Sequence, residues 1–283
     1  MSPNLNQRLL DVADRACEEF RQDPRVDAIM LTGSAAIGCT DMGSDLDLIL
    51  YLNAPHSEEE FEEQKRRAVE SGGGFYFGSA EHGYGVYRRI EGVKVDFGFG
   101  GSVETDALIQ SVLEEHSTEA VSHQVLAGIL EALPMHGEQR IRDWQNRLLP
   151  MPEALQLKLL RENLRMTPLA ILESMGAARG DRPFYCETVL QLQTRLLKLI
   201  YALDGRYYPG KLKGIQYRMD GLSLGQGLHE RFCRQLSGPM DEGVLDLGRL
   251  IPEILTHVHQ RFPAIEISSA LEFFSSDSRI QWA

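Results

Sequence analysis

Strand-like patterns occupy only the part of this 283-residue chain before about Val103, and helical periodicity dominates after it. Four segments have the apolar or alternating pattern of short strands: residues 26–32, 45–52, 84–90 and 93–99. The last two are joined at Glu91-Gly92, a two-residue connection that predicts a hairpin. The sequence therefore predicts an α+β fold, a small half that contains the strands followed by an all-helical half.

Helices are predicted from apolar residues that recur at three- and four-residue spacing. Ser57 and Glu60 have the spacing of a capping box, so a charged helix is expected to begin there and run to about Ser71. Pro150 and Pro152 interrupt two helical patterns and indicate a linker. The predicted helices cover residues 4–21, 58–71, 108–115, 119–133, 138–149, 152–165, 168–178, 186–203, 228–236 and 243–262.

Composition restricts the class of partner more than the fold. The chain carries 41 acidic and 29 basic residues, a formal charge of −12, which argues against a nucleic-acid polymer as substrate and suits a small cationic one. No apolar run is long enough to span a membrane, and residues 1–8 lack the features of a signal peptide. We therefore expect a cytoplasmic protein with no membrane partner. Four widely spaced cysteines predict free thiols rather than a zinc site or disulfides.

Two aspartates open the strand predicted over residues 45–52. Leu46, Leu48, Leu50 and Leu52 alternate with the other side chains, so Asp45 and Asp47 share the face opposite the leucines. Their Cα atoms should lie about 7 Å apart, close enough for the two carboxylates to share metal ions. Magnesium prefers such oxygen ligands, and a pair of ions can stabilise both the attacking and the leaving oxygen in phosphate chemistry.

Two further features extend this pair. Asp96 lies on a later predicted strand between Val95 and Phe97, which should face the core. If that strand lies beside the first, Asp96 completes a three-carboxylate cluster, either as a metal ligand or as the general base for an acceptor hydroxyl. Gly33-Ser34 ends the preceding strand, where a glycine allows close approach of a phosphate and the serine adds a hydroxyl donor.

Gly33-Ser34, ten residues, then Asp45-Leu46-Asp47 resembles the signature of the polymerase-β-type nucleotidyltransferase superfamily. In length and in its helical second half, the chain looks most like nucleotidyltransferases that modify aminoglycoside or lincosamide antibiotics, and their uncharacterised bacterial relatives. Residues 133–137 and 141–144 resemble the junction between the two domains of such enzymes, and residues 201–211 resemble helical-domain sequences of bacterial relatives. We accordingly predict a nucleotidyltransferase domain over residues 1–137 and a helical domain over 138–283.

The resemblance implies a mixed β-sheet flanked by helices, magnesium, and a nucleoside triphosphate donor, with ATP expected. It assigns Asp45 and Asp47 as metal ligands and Asp96 as ligand or base. Many members carry an arginine after Gly-Ser that reaches the triphosphate, whereas this chain has Ala35-Ala36 there. Lys94, Lys211 and Lys213 are the candidates to replace it. The last two belong to a basic and aromatic segment, residues 206–218, that either clamps nucleotide or packs its tyrosines inward.

Three functions follow as hypotheses. The first is transfer of a nucleoside monophosphate, AMP above all, to a hydroxyl of a small acceptor, for which the acidic balance favours a cationic antibiotic and hence a role in antibiotic resistance. The second is nucleotidylation of a protein partner, as in antitoxin-like nucleotidyltransferases, although those are usually short single domains. The third is a non-catalytic nucleotide-binding module. The acceptor, the base and the oligomeric state are left open.

Overall fold

The computed structural model describes residues 3–276, which form two compact units. The first comprises the residues up to Ser117 together with Val121–Pro150, and the second comprises Thr118–Ala120 and the residues from Met151 onward. All strands belong to the first unit, and the second is helical, as the α+β prediction requires. The division by packing falls after Pro150, beside the proposed proline linker, and the domain boundary after Gly137 stays a prediction.

A six-stranded mixed sheet is the framework of the first unit. Its strand order is β3-β4-β5-β2-β1-β6, in which β2 and β5 are parallel and every other neighbouring pair is antiparallel. The strands are β1 Val26–Thr32, β2 Leu46–Leu52, β3 Gly74–Ser79, β4 Gly83–Ile90, β5 Val93–Gly101 and β6 Leu133–His136. The helices that accompany them are α1 Pro3–Cys17, α2 Gly33–Ala36, α3 Glu58–Glu70, α4 Ser102–Glu114, α5 Ala120–Glu131 and α6 Glu138–Leu148.

One face of the sheet is the core of this unit. The alternating leucines of β2 are buried on it together with Val95 and Phe97 of β5, as predicted, and α1 and α3 contribute apolar residues such as Val12 and Phe61. Burying these side chains stabilises the fold by roughly 1.5–3 kcal/mol for each large one. The opposite face therefore carries the intervening residues of each strand, including the aspartates.

The opposite face of the sheet is covered by α6 near the end of β2. Tyr51 of β2 is buried there, and its ring meets that of Trp144 on α6 edge-on, with 4.7 Å between centroids. Aromatic pairs in this geometry add about 0.5–1.5 kcal/mol beyond their area. The aspartates of β2 therefore stand at the opposite end of the strand from this aromatic closure.

Local sequence signals account for most element boundaries. The hairpin at Glu91-Gly92 joins β4 and β5, and Ser57 with Glu60 forms the predicted capping box of α3. Strands β3 and β6 were not predicted from the sequence. The first is an edge strand whose central aromatic residues are exposed, so it lacks apolar alternation, and the second is a four-residue edge strand that contains Pro134.

The second unit packs its helices around α9. The helices are α7 Glu153–Asn163, α8 Leu169–Ile171, α9 Arg182–Leu203, α10 Gln216–Met219, α11 Leu228–Ser237, α12 Met240–Arg261 and α13 Ser268–Ser275. The helix expected over residues 168–178 is instead the short α8 followed by a π-helical turn, Leu172–Ala177. Its apolar core draws on α7, α9, α11 and α12, which the helical periodicity had indicated.

Two negative expectations concern the whole described chain. Between residues 3 and 276, none of the helices combines the length and the apolar character needed to cross a membrane. Cys17, Cys39, Cys186 and Cys233 are all free thiols, as the spacing predicted. Burial raises the pKa of the Cys17 thiol to about 12, so this buried cysteine stays protonated and unreactive.

Candidate active site

Gly33 places the end of β1 directly against Asp47. Its backbone has a φ of +73°, a conformation that other residues adopt only with strain. A Cβ atom built at Gly33 would lie 2.3 Å from Asp47 Oδ2, well inside van der Waals contact. Glycine is thus required here twice, once for the backbone turn and once for the space that the Asp47 carboxylate occupies.

The three predicted carboxylates lie on one face of the sheet. Asp47 of β2 and Asp96 of β5 are direct partners in the parallel register, and Asp45 precedes β2 on the same face. Leu46 and Val95, their neighbours along the chain, are fully buried on the core face. The register therefore brings together Asp45, Asp47 and Asp96, as the prediction of a strand beside β2 required.

A lysine that the sequence identified only as a possible triphosphate ligand lies within this cluster. Lys94 Nζ donates to Asp96 Oδ2 at 2.6 Å and to Asp45 Oδ2 at 3.0 Å. Burial disfavours the charged ammonium, but hydrogen bonds with Asp96, Tyr76 and Asp45 outweigh it and raise the pKa of Lys94. The lysine is therefore a firmly charged counterion of two of the three carboxylates.

Two tyrosines complete the surroundings of Lys94. The ammonium lies 5.6 Å from the ring centroids of both Tyr76 on β3 and Tyr87 on β4, a cation–π distance. The Tyr76 hydroxyl donates to Asp96 Oδ1 at 2.8 Å. Partial burial and the neighbouring Asp96 raise the pKa of Tyr76, and they outweigh the opposite effect of Lys94. The phenol therefore keeps the proton that it donates to Asp96.

Tyr76 could not be assigned to the site from the sequence. The register of β3 against β4 shifts between Phe75 and Phe77, so Tyr76 lies at an irregularity in an edge strand that carried no strand signal. The sequence did indicate positions for Tyr87 and Lys94. Each lies on a predicted strand, and pairing the two strands as a hairpin puts both side chains on the face of Asp96. The hairpin at Glu91-Gly92 would have paired Tyr87 with Asp96.

The residues present suit a divalent cation in their chemistry. Between residues 3 and 276, no group of three or more histidine, cysteine, aspartate or glutamate side chains stands in a metal-ligating arrangement. The space between Asp45 and Asp96 nevertheless accommodates a cation, because the Lys94 ammonium lies there within hydrogen-bond distance of both. Carboxylate oxygens from neighbouring strands are the hard ligands that magnesium prefers, so this donor set fits the metal that the family resemblance implies.

Three other predicted residues have definite places but untested roles. Ser34 is half-buried in the short helix α2, next to Gly33. Lys211 and Lys213 lie in the second unit between α9 and α10, and both are exposed. Tyr207, close by in the chain, is buried, and its pKa is raised by that burial to about 12. Nucleotide binding by Ser34, Lys211 and Lys213 stays a prediction.

Comparison with known proteins found a family match over the part of the chain that contains the motif. Residues 13–74, which include Gly33, Asp45 and Asp47, match the family described as nucleotidyltransferase domain. A search of curated proteins gave no match. The solved structure of a nucleotidyltransferase-like protein from Exiguobacterium sibiricum aligns over 89% of this chain and 77% of its own, with 11% identity and a TM-score of 0.39. The strand order described above does not rest on this alignment.

Proposed function

We propose that the protein is a magnesium-dependent enzyme that transfers a nucleoside monophosphate, AMP from ATP, to a hydroxyl of a small acceptor, and the match of residues 13–74 to the family described as nucleotidyltransferase domain supports this proposal. The observation that carries the proposal is the alignment of Asp47 with Asp96 across two parallel strands, with Asp45 beside them. Carboxylates that share one face repel one another, and a bound divalent cation would offset that repulsion. They are also the donors that a metal-bound triphosphate requires.

In the proposed reaction, the acceptor oxygen forms a bond to the α-phosphorus as the bond to the bridging oxygen of pyrophosphate breaks. When bound, magnesium would supply Lewis-acid stabilisation of the triphosphate and of the attacking oxygen. Asp45 and Asp47 would hold it. Asp96 would either share in this or take the hydroxyl proton, and the hydrogen bond from Tyr76 fixes one of its oxygens.

The acceptor class rests on charge. The formal net charge of −12 favours a cationic small molecule, such as an aminoglycoside-like or lincosamide-like antibiotic, over a nucleic-acid polymer. We place the reaction in the cytoplasm with no membrane partner, and an oligomer is compatible with it. A screen of hydroxylated acceptors with each of the four nucleoside triphosphates, scored by pyrophosphate release, tests both the acceptor and the base.

The decisive variant is Asp47→Asn, which keeps the shape of the side chain but removes the charge of a proposed metal ligand. Pyrophosphate release should fall by about 10³-fold or more, equivalent to about 4 kcal/mol of transition-state stabilisation. Asp11→Asn is the matched control, because Asp11 is exposed on α1 and hydrogen-bonded to Gln7. Full activity in Asp47→Asn would refute the proposed mechanism.

The nature of the acceptor can be separated from the chemistry with ATP labelled at the α-phosphate. In the proposed reaction the label moves to a small molecule of the screen and does not become attached to protein. Label that accumulates on a macromolecule instead would contradict the small-acceptor proposal while leaving nucleotidyl transfer itself intact.

A further inference from the structure

Lys94 occupies the position in which a cation joins two of the site carboxylates. Its Nζ atom is 3.0 Å from Asp45 Oδ2, just before β2, and 2.6 Å from Asp96 Oδ2 on β5. Asp96 lies two residues from Lys94 on β5, whereas Asp45 is 49 residues away in sequence, so the contact with Asp45 depends on the tertiary fold. The ammonium thus serves as an internal cation that offsets the repulsion of two neighbouring carboxylates.

The arrangement holds Lys94 without enclosing it. Tyr76 and Tyr87 line the ammonium with their ring faces, while 32% of the lysine side chain remains exposed. A lysine stem has four flexible carbons and a compact charged end, so it can turn to a new anion without rearrangement of the strand. The site therefore contains a cation that is held by charge but has an open path away from the carboxylates.

A divalent ion that binds Asp45 Oδ2 and Asp96 Oδ2 competes with this ammonium, because Lys94 donates to the same two oxygens. Like charges about 4 Å apart repel, and both need the same oxygen lone pairs. A metal ion that enters must displace Lys94, and the displaced ammonium requires another anion. The triphosphate that accompanies the metal supplies one.

We propose that Lys94 holds the cation position between Asp45 and Asp96 until metal and nucleotide arrive together, and that it then moves onto the triphosphate. The inference rests on the proposed function, because it takes the ligand to be a metal-bound nucleoside triphosphate. It makes Lys94 both a competitor of free metal and a ligand of the nucleotide. Metal and nucleotide then bind cooperatively, each weakly by itself.

The test measures Mn²⁺ binding by the electron paramagnetic resonance signal of the free ion, with and without an ATP analogue that has a methylene group between the α- and β-phosphates. Lys94→Met removes the competing charge. Without nucleotide, it should bind Mn²⁺ about 10-fold more tightly than the unaltered protein. With the analogue, the advantage should disappear, because the variant has lost its contact to the triphosphate.

Two variants serve as controls. Lys65→Met makes the same change on α3, where Lys65 pairs with Glu62, and it should leave Mn²⁺ binding unchanged. Lys94→Arg keeps the positive charge and should retain weak binding of free Mn²⁺. Thermal unfolding with and without Mn²⁺ checks the fold, and if Lys94→Met does not fold, Lys94→Gln carries the same comparison.

Equal or weaker binding of free Mn²⁺ by the charge-removing variant, while the unaltered protein binds Mn²⁺ with the analogue, overturns the role of Lys94 and leaves the proposed function standing. No Mn²⁺ binding by the unaltered protein even with the analogue overturns the metal dependence of the proposed function as well. The two failures are therefore distinguishable in one set of titrations.

Discussion

The β4–β5 hairpin carries two basic residues in similar surroundings on opposite faces of the sheet. Arg88, on the core face, pairs with Glu19 and lies over the rings of Phe20 and Phe97. Lys94, on the site face, pairs with two aspartates and lies over two tyrosine rings. Each is thus a cation held by carboxylates and aromatic rings.

The two differ in exposure and in the balance of charge. Only 8% of the Arg88 side chain is exposed, against 32% of Lys94, and Gln64 provides a further, uncharged acceptor for Arg88. Lys94 pairs with Asp45 and Asp96, both of which are partly exposed, on the face that also carries Asp47. Burial is typical of an ion pair that holds elements together, whereas partial exposure leaves an ion pair open to a ligand. We therefore expect a structural role for Arg88 and the role proposed above for Lys94.

The largest expected difference is in stability when one carboxylate of each pair is neutralised. Glu19→Gln removes the carboxylate that pairs with the buried Arg88 guanidinium and with the exposed Arg67, and should lower the free energy of unfolding by about 3 kcal/mol, mainly through Arg88. Asp45→Asn leaves Lys94 partly in water beside Asp96 and should lower it by about 1 kcal/mol or less. Urea unfolding measures the free energy of unfolding of both variants. Equal losses of stability would contradict the proposed difference between Arg88 and Lys94.

Much of the fold could be predicted because apolar residues alternate with other residues along the strands that face the core. The leucines of β2 and the pattern of β5 locate the core face, and the aspartates follow on the other one. Edge strands escape this logic. In β3 the aromatic residues are exposed and in β6 a proline intervenes, so neither presents a buried face that the pattern could reveal.

A second prediction concerns the close approach of Gly33 to the Asp47 carboxylate. Gly33→Ala should reduce the rate of nucleotidyl transfer by about 10²-fold. The added Cβ would displace the Asp47 carboxylate, and a displacement of about 1 Å in an active site reduces the rate by about this factor. Gly38→Ala is the matched control. Its φ is +70°, so the backbone strain of about 1–3 kcal/mol is shared, but no heavy atom lies within 4 Å of the added Cβ.

Pyrophosphate release and urea unfolding are measured for both alanine variants. Similar losses of stability with a loss of activity confined to Gly33→Ala would sharpen the distinction between site and framework. A fully active Gly33→Ala enzyme would show that Asp47 does not depend on this contact, and the position of the carboxylate would then need another support.

The site was predictable only as far as its motif extends. Gly33, Asp45 and Asp47 are adjacent enough in sequence for spacing and alternation to group them, and Asp96 follows from one assumption about strand pairing. The contact of Lys94 with Asp45 and the place of Tyr76 in the site required the actual register. Lys94 contacts Asp45, which directly precedes β2, and Tyr76 reaches Asp96 across β4 from an irregular edge strand. A pattern along one segment cannot encode such cross-strand contacts.

The smallest predicted effect tests whether Tyr76 positions Asp96 or only lines Lys94. Tyr76→Phe keeps the ring but removes the donor at 2.8 Å from Asp96 Oδ1, a hydrogen bond that contributes about 1 kcal/mol at this half-exposed position. The loss should appear as a fall in kcat of about 5-fold with little change in the KM for ATP. Tyr87→Phe is the matched control, since that ring lies at the same 5.6 Å from Lys94. If both variants lose activity equally, or if KM rises instead, the hydroxyl of Tyr76 does not position Asp96. The aromatic pair then acts only on the lysine.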